Sequence, residues 1–469
     1  MDNNIKSLGQ VFTPKNIVVD MLNLIDYEGK KILKKHIIDN SCGDGAFLKV
    51  IVERYICEYI KEYGDLNGVE DHLEKYIHGI EIDFKIWKQC LNNLNKIQKL
   101  FKLKNVNWNI VHADAIEFDK YDRKMDYVIG NPPYVRVHNL GDNFEKIRHY
   151  KLCKKGMTDL YILFYEIGFN MLNKSGVLCY ITPNSFYTSN AGCEFRRFIF
   201  DNKNLALIAD LGHYQPFKVS TYTTICKFEN NNIVEYIDYY KYNLKGQKEF
   251  QEQLSVHDIF VNGKIILSKK KSLEQFLKIQ NYSPKNNKLV EVKNGFATLA
   301  DKVFILESKI ENCIKVLKAS TGKWFYCLFP YNKNSKVVDF NLLSEETQKY
   351  LLNNKDILTK RSLHKKTSWY EFGRSQAIKD VYKNKIAINT TIKDVKSIKI
   401  EKVEIGSGVF SGLYILGNID ISEVKKYILT DEFIEYVRIL NKCKSGGYFT
   451  FSSIDLKKYL IYKMENSNE

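Results

Sequence analysis

The chain has 469 residues, enough for two to four domains at roughly 100 to 200 residues each. Its 44% hydrophobic and 13% aromatic content, with only 7 prolines and 25 glycines, favours a folded globular protein and excludes a disordered or fibrous one. No apolar run of about 18 residues occurs and the N-terminus lacks the basic and apolar parts of a secretion signal, so we expect a cytoplasmic protein without a membrane span.

The positive charge of the chain is unevenly distributed. The formal net charge is +16, from 71 Lys and Arg against 55 Asp and Glu. Residues 271–469 hold 34 basic and 22 acidic residues, a net charge of +12, whereas residues 1–270 carry only +4. This distribution indicates a polyanion-binding C-terminal part joined to a nearly neutral part. A general lysine bias in the organism's proteins is the alternative explanation.

The ten cysteines are scattered through the chain without a C-x-x-C pair. This spacing argues against a zinc site and against a disulfide framework, so we predict reduced thiols and no metal site.

Residues 30–230 alternate short apolar runs with longer amphipathic ones, which predicts an α/β fold with a mostly parallel sheet covered by helices. The predicted strands are residues 35–39, 76–82, 109–113, 126–130, 177–182, 205–211 and 223–228. Apolar pairs that recur every four residues from Phe47 to Ile60 predict a helix with one buried stripe. The short link between the last two strands predicts an antiparallel hairpin at one edge of the sheet.

The alternation stops near Val234, and two lysine-containing stretches follow, at 245–248 and 269–271. We therefore predict a first domain over residues 1–245, a linker region over residues 246–270 and a second domain over residues 271–469. The second domain mixes short strands, glycine-containing turns and a helix at Glu423 to Leu440, which is typical of an α+β domain.

Asp39 to Gly45 follows the first predicted strand and opens a helix, at a point where glycines let the backbone approach a ligand closely. Leu48 stands where the dinucleotide fingerprint would have its third glycine, which disfavours a pyrophosphate cofactor. An ordinary tight turn between a strand and a helix is the alternative.

Two acidic positions follow the next two strands. Glu81 ends the second strand, where a carboxylate can accept the hydroxyl protons of a ribose. Asp114 and Ala115 follow the third strand, where an acidic side chain can accept a hydrogen bond from an adenine amine. The alternative for Glu81 is a solvated strand end.

The sequence Asn131-Pro132-Pro133-Tyr134 follows the fourth strand. The prolines fix the turn and remove two N–H donors, Asn131 adds an amide oxygen and Tyr134 adds a flat ring. The segment therefore predicts an acceptor-rich cradle for a planar amine, with a purely structural turn as the alternative.

These motifs, in this order, resemble a known family. The matching segments are Gly9 to Pro14, Asp39 to Leu48, Gly79 to Asp83, Asp114-Ala115, Asn131 to Tyr134 and Ser185-Phe186. Together they resemble the adenine-N6 DNA methyltransferases of bacterial restriction–modification systems, specifically the gamma subgroup, in which the Phe-Thr-Pro segment comes first and the target-recognition region last. The resemblance covers residues 8–228. It implies a seven-stranded Rossmann-like methyltransferase domain followed by a target-recognition domain.

The resemblance also implies roles for individual residues. It assigns these residues to the cofactor S-adenosylmethionine: Thr13, Asp39, Ser41, Gly43 and Asn131 at its methionine part, Glu81 at its ribose, and Asp114 and Ala115 at its adenine. The segment Pro216 to Tyr222 resembles the one in which an aromatic side chain packs against the extruded target base. We predict Phe217 for this role, with Tyr214 and Tyr222 as alternatives, and ordinary core packing as the competing explanation.

Three C-terminal segments, Asn294 to Lys302, Phe372 to Gln376 and Gly446 to Thr450, resemble recurring segments of the family's target-recognition domains. Arg374 and Gln376 have the chemistry to read guanine and adenine edges. A structural role within the domain is at least as good an explanation for both.

On this interpretation the substrate is a flipped adenine in double-stranded DNA. Asn131 Oδ1 and the Pro132 carbonyl would accept the two amino protons, and Tyr134 would stack on the ring. We expect a monomer and a companion restriction endonuclease, if one exists, on a separate polypeptide. An RNA or protein glutamine N-methyltransferase could use the same cradle, and a non-enzymatic DNA-specificity protein would need only the C-terminal half.

Overall fold

The computed structural model describes residues 13–135, 147, 149–154, 159–217, 221–363 and 367–466. The predicted segments at residues 9–12 and 218–220 lie outside this part of the chain. The molecule divides into two compact units, Met1–Lys270 and Lys271–Glu469.

Unit 1 is an α/β unit. Its strands are Ile37–Asp39 (β1), Ile77–Glu81 (β2), Asn109–His112 (β3), Met125–Gly130 (β4), Leu172–Pro183 (β5), Leu205–Asp210 (β6), Thr223–Glu229 (β7), Tyr236–Tyr242 (β8), Lys248–Ser255 (β9), Phe260–Val261 (β10) and Lys264–Ile265 (β11). Its helices are Lys15–Leu24 (α1), Ala46–Tyr63 (α2), Val69–Tyr76 (α3), Phe84–Leu100 (α4), Leu160–Met171 (α5), Cys193–Asn202 (α6) and Val256–Ile259 (α7).

The central sheet has the strand order β3-β2-β1-β4-β5-β7-β6-β8-β9. Strands β1 to β5 pair in parallel, as do β6 and β8, whereas β7 and β9 run antiparallel to their neighbours. The mostly parallel α/β fold is confirmed and all seven predicted strands form. The seven predicted strands form one continuous part of the sheet, and β8 and β9 extend it to nine strands in the described residues. The predicted antiparallel hairpin of β6 and β7 forms, but it does not lie at an edge, because β8 and β9 extend the sheet beyond β6.

The predicted linker at residues 246–270 is ordered structure. Strand β9 pairs with β8 along its whole length, and β10 and β11 form a hairpin. The sequence did not reveal β8 and β9 because neither has a continuous apolar run. Strand β8 alternates between buried and exposed side chains, and β9 is mostly polar, with Leu254 as its buried side chain.

Two apolar cores lie on opposite faces of the sheet. The adjacent residues Ile37 and Ile38 contribute to different cores, and so do Val128 and Ile129. The first core includes buried side chains of α1, α2 and α4, and the second includes those of α5 and α6. Helices on both faces bury the strands from both sides, which leaves the strand ends as the accessible edge.

Unit 2 is an α+β unit, as predicted. Its strands are Val290–Asn294 (β12), Ile305–Leu306 (β13), Cys313–Lys318 (β14), Lys323–Leu328 (β15), Lys385–Ile388 (β16), Thr391–Ile392 (β17), Ile400–Val403 (β18), Ser407–Phe410 (β19), Leu413–Gly417 (β20), Cys443–Lys444 (β21) and Tyr448–Thr450 (β22). Its helices are Lys270–Gln280 (α8), Asp301–Phe304 (α9), Glu345–Asn353 (α10), Lys355–Thr359 (α11), Ile421–Ile428 (α12), Asp431–Ile439 (α13) and Ser453–Glu465 (α14).

The strands of unit 2 form three sheets, with the orders β12-β20-β16-β18, β13-β15-β14-β19 and β17-β22-β21. The single helix predicted at Glu423 to Leu440 was wrong, because two helices, α12 and α13, occupy this stretch. Thr430 separates them, and its side-chain oxygen accepts the backbone N–H of Phe433 to cap α13. Across the described part of both units, no helix combines the length and apolar character that crossing a membrane requires.

Candidate active site

The side chains predicted to bind a ligand in unit 1 lie at one edge of the sheet. Asp39 ends β1 and Glu81 ends β2, while Asp114 follows β3 and Asn131 follows β4. Because β1 to β4 are parallel, their carboxyl ends meet at the same edge, which is where open α/β sheets bind ligands.

The glycine loop after β1 is bonded to the carboxylate that ends β2. Gly43 has a φ of +54°, and its backbone N–H donates to Glu81 Oε2 at 2.9 Å. Glu81 Oε1 accepts the backbone N–H of Asp83 at 2.8 Å. Burial raises the pKa of Glu81, although these backbone N–H groups oppose the rise. The backbone N–H of Ile82 also acts on this carboxylate, and the four lone pairs of its two oxygens leave capacity for a hydroxyl group.

Asp39 is a buried carboxyl, with a relative exposure of 1%. Burial raises its pKa to about 8, the hydrogen bond from the Ser41 backbone N–H opposes this rise, and the charge of Glu81 adds to it. A Cβ atom placed on Gly130 would lie 2.7 Å from Asp39 Oδ1. Strand β4 therefore passes so close to the Asp39 carboxylate that a side chain at position 130 would force one of the two to shift.

The Asn131 turn lies beside both the glycine loop and the start of α1. Asn131 Nδ2 donates to Thr13 Oγ1 at 3.0 Å. The Ser41 hydroxyl donates to the Asn131 carbonyl at 3.5 Å, the long limit for such a bond. Pro132 is buried at this turn. Residues from three separate segments of the chain, Thr13, Ser41 and Asn131, thus meet at one point.

Two of the predicted aromatic residues contact each other beside this turn. The rings of Tyr134 and Phe217 pack edge to face, with centroids 6.4 Å apart and an interplanar angle of 87°. The Tyr134 hydroxyl donates to the Ile181 carbonyl at 3.3 Å, and burial raises the pKa of Tyr134. Phe217 has a relative exposure of 7%, so it also contributes to the apolar core.

The two alternative aromatic residues have other partners. Tyr214 stacks on Tyr242 with ring centroids 5.9 Å apart, and its hydroxyl accepts a hydrogen bond from Asn16. Tyr222 packs edge to face on His213. Of the three candidates, Phe217 is the one whose ring contacts Tyr134.

The residues after β2 and β3 form the other end of the candidate site. Asp114 Oδ1 accepts the backbone N–H of Ile116 at 2.9 Å, so this carboxylate helps to shape the turn in which Ala115 is buried. Ile82 and Phe84 are 52% and 49% exposed and present apolar surface next to Glu81. We did not predict these two residues, although apolar side chains in an exposed loop were a visible signal.

The loop after β5 is anchored by a buried arginine that the sequence did not reveal. Arg196 Nη1 donates to the carbonyls of Phe186 and Ser189, both at 2.7 Å. Ser185 Oγ lies 2.9 Å from the Tyr161 hydroxyl. The predicted segment Ser185-Phe186 is therefore fixed in place, with Phe186 fully buried.

Part of unit 1 matches a known protein family. Residues 44–217 match the Eco57I restriction-modification methylase family. Over 238 residues the chain is 32% identical to the Type II methyltransferase M.BstVI of Geobacillus stearothermophilus, which covers 48% of this chain and 42% of the relative. It is 24% identical over 549 aligned positions to the Type II restriction enzyme and methyltransferase RM.Eco57I of Escherichia coli, which covers 91% of this chain and 54% of the relative. The chain thus spans about half the length of these curated relatives.

Solved structures of restriction–modification enzymes have the same fold. The Type IIL restriction-modification enzyme MmeI, determined in complex with DNA, aligns with a TM-score of 0.63 at 13% identity over 94% of this chain and 64% of its own. A nuclease-deletion mutant of the Type ISP enzyme LlaGI, bound to a DNA substrate mimic, aligns with a TM-score of 0.53 at 14% identity over 98% of this chain and 47% of its own. At these identities the likeness concerns the fold alone.

In unit 2, hydrogen bonds join two of the three segments that resemble target-recognition segments, Asn294 to Lys302 and Phe372 to Gln376. The backbone N–H of Arg374 donates to the Ala297 carbonyl at 3.1 Å, and Gln376 Nε2 donates to the Gly295 carbonyl at 3.1 Å. Arg374 and Gln376 are both exposed. The side-chain amide of Gln376 therefore makes a hydrogen bond within the unit, whereas Arg374 makes its hydrogen bond to Ala297 through its backbone N–H. The third segment contributes β22 to a separate three-stranded sheet.

Proposed function

We propose that the chain is the modification methyltransferase of a restriction–modification system, which methylates N6 of a flipped adenine in double-stranded DNA. The observation that carries this proposal is the meeting of Asn131 with Thr13 and the Ser41 hydroxyl, next to the buried carboxyl of Asp39. The match of residues 44–217 to a methylase family supports it independently.

The residues at the strand ends fit S-adenosylmethionine, which supplies an electrophilic methyl group on a sulfonium when bound. Asp39 can pair with the cationic methionine amine, and the Glu81 oxygens can accept ribose hydroxyl protons. Ile82 and Asp114 follow the ends of β2 and β3, where they could contact the adenine of the cofactor. Gly43 keeps the loop free of a side chain on this side.

The Asn131 turn would prepare the target amine. The lone pair of an adenine N6 amine is delocalised into the ring, which makes the nitrogen a poor nucleophile. If Asn131 Oδ1 and the Pro132 carbonyl accept the two amino protons, the lone pair localises and points away from these acceptors. Catalysis then depends on position and electrostatics rather than on a covalent enzyme intermediate.

Tyr134 and Phe217 would hold the extruded base. Flipping a base out of a duplex costs a few kcal/mol, and stacking on one aromatic side chain returns about 1 to 3 kcal/mol. The planes of the Tyr134 and Phe217 rings are nearly perpendicular. A planar base could therefore stack on the face of one ring while its edge contacts the other ring.

Unit 2 would supply the remaining DNA affinity. Its net charge of +12 suits contacts with phosphates, and each such contact releases counterions. The logarithm of DNA affinity should therefore fall linearly with the logarithm of salt concentration, with a slope of about −0.9 per phosphate contact. An affinity that does not change with salt would contradict this role. We extend the proposal to a monomer in the bacterial cytoplasm, with any companion endonuclease on a separate polypeptide.

Genome sequencing tests the proposal directly. The protein is expressed in a host without DNA methylation, and modified bases are mapped with their flanking sequence. We expect N6-methyladenine at one short recurrent sequence, and none with the Asn131→Ala variant expressed at the same level. Modified cytosine would contradict the adenine assignment. Unmodified DNA together with methylated RNA or glutamine would contradict the DNA substrate.

A further inference from the structure

The loop from Phe296 to Lys302 in unit 2 carries a strained apolar residue at its tip. Leu299 has a φ of +56°, in the left-handed region that bulky side chains rarely adopt. Among the described residues other than glycine that have positive φ, Leu299 is the one large apolar side chain. It is also 49% exposed, so burial of its side chain offsets only part of the steric cost of this backbone conformation.

A rigid frame holds the strained residue from below. Thr298 is fully buried, and its hydroxyl oxygen accepts the backbone N–H of Ala300 at 3.0 Å. The Thr298 carbonyl accepts two further hydrogen bonds, from Arg361 Nη1 at 2.7 Å and from the Gly373 backbone N–H at 3.0 Å. The strain at Leu299 is therefore imposed by its neighbours, which is typical of strain at functional sites.

The surroundings of Leu299 accommodate its side chain and place cations near it. A Cβ atom on Gly373 would overlap the Leu299 side chain, so glycine at 373 is what lets the leucine lie there. Arg374, exposed, is joined through its backbone to Ala297, two residues before Leu299. Lys302, also exposed, lies three residues after it. One cationic side chain thus follows the apolar tip along the loop, and a second lies on the neighbouring segment that is hydrogen-bonded to the loop.

We propose that Leu299 is a wedge that enters the DNA duplex and partly unstacks one base step, while Arg374 and Lys302 contact the flanking phosphates. Leucine is among the side chains that proteins insert between base pairs. A DNA duplex is the occupant because it combines an apolar base stack with two rows of phosphates, and unit 2 has a net charge of +12. This inference rests on the proposed function and adds to it a residue that deforms the DNA.

The test is the variant Leu299→Asn, since asparagine tolerates a positive φ and has a similar size. We expect its melting temperature to be equal to or above that of the wild type, because the strain is reduced. We expect its affinity for a short, fluorescent, unmethylated duplex that contains the recognition sequence to fall about tenfold, which corresponds to ~1.4 kcal/mol. Permanganate oxidises unstacked thymines, so it should mark the thymine opposite the flipped adenine with both proteins. A further mark at a thymine in a different base step should appear with the wild-type protein and not with this variant.

Two further variants separate a wedge from a structural residue. The separate single variant Leu299→Met keeps an apolar side chain at the tip and should retain both the wild-type DNA affinity and the additional permanganate mark. Leu342→Asn changes a leucine of the same unit that is 77% exposed and should leave both unchanged. Wild-type affinity in Leu299→Asn would overturn the wedge and leave the proposed function standing. Absence of DNA methylation by the wild-type protein would overturn the proposed function itself.

Discussion

The buried carboxyl of Asp39 predicts that cofactor binding depends strongly on pH. Burial raises its pKa to about 8, so roughly one molecule in ten has an ionised Asp39 at pH 7 and about one in a hundred at pH 6. A cationic methionine amine selects the ionised form. The affinity for S-adenosylmethionine should therefore rise about tenfold per pH unit from pH 6 towards pH 7, pass through a maximum near pH 8 and fall above it, because the methionine amine, with an ordinary pKa of about 8, then loses its own proton.

The variant Asp39→Asn separates this charge from the hydrogen bond with Ser41, which an amide oxygen can still accept. It should bind the cofactor weakly at every pH, because the amide cannot ionise. It should also be more stable without ligand. A folded pKa above the unfolded value of 3.8 means that stability is present below pH 3.8 and is lost as the pH rises towards 8, by roughly 4 kcal/mol at pH 7.

Titration calorimetry from pH 6 to pH 9 measures the affinity, and thermal unfolding without ligand measures the stability. Asp114→Asn serves as the carboxylate control, and it should keep the pH dependence because Asp39 is intact. A wild-type affinity that does not change with pH would refute the reasoning. A rise in affinity from pH 6 to pH 8 that survives in Asp39→Asn would refute the assignment to this residue.

Three further predictions concern the Asn131 turn, the contact between Tyr134 and Phe217, and the buried His78 of β2. Asn131→Ala should lower the single-turnover methylation rate about 10² to 10³-fold and change cofactor affinity far less, and similar losses in both would argue against an acceptor role. Phe217→Leu keeps an apolar core residue but removes the ring beside Tyr134, so DNA affinity should fall about tenfold or more while the melting temperature changes little, and unchanged 2-aminopurine fluorescence of the target base would contradict this. Burial, together with the nearby His36, lowers the pKa of His78 to about 3. The neutral imidazole therefore contributes to the free energy of unfolding above pH 6.5. This contribution is lost by about 1.4 kcal/mol per pH unit as the pH falls from 6.5 towards 3. Denaturant unfolding of His78→Gln should show a shallower loss in acid than the wild type, and equal slopes would exclude this residue.

The sequence predicted the strands of unit 1 where burial on both faces demanded a continuous apolar run. The residues 77–81 and 125–130 are examples, because helices cover both faces of the strands there. Strand β8 was missed because it has no continuous apolar run, although its alternation of buried and exposed side chains is the pattern of a half-buried strand. The break between α12 and α13 was also missed, although Thr430-Asp431-Glu432 is an ordinary helix start.

The sequence also predicted which residue types gather at the strand ends, but not how they contact each other. The adjacency of Asp39, Glu81 and Asn131 follows from parallel strands that end at one edge. The bonds from Gly43 to Glu81 and from Asn131 to Thr13 depend on loop conformations, which no periodicity encodes. The strain at Leu299 could not be predicted either, because a single backbone angle set by distant hydrogen bonds leaves no pattern in the chain.

The close approach of β4 to Asp39 constrains how this protein could be re-engineered. A side chain at position 130 would require the Asn131 turn or the carboxylate to shift, because its first carbon would lie 2.7 Å from Asp39 Oδ1. The carboxyl proposed to pair with the methyl donor and the turn proposed to hold the target amine thus lie against each other without a gap. A mutagenesis library that seeks new substrates should keep this glycine invariant and place its diversity on the loops of unit 2.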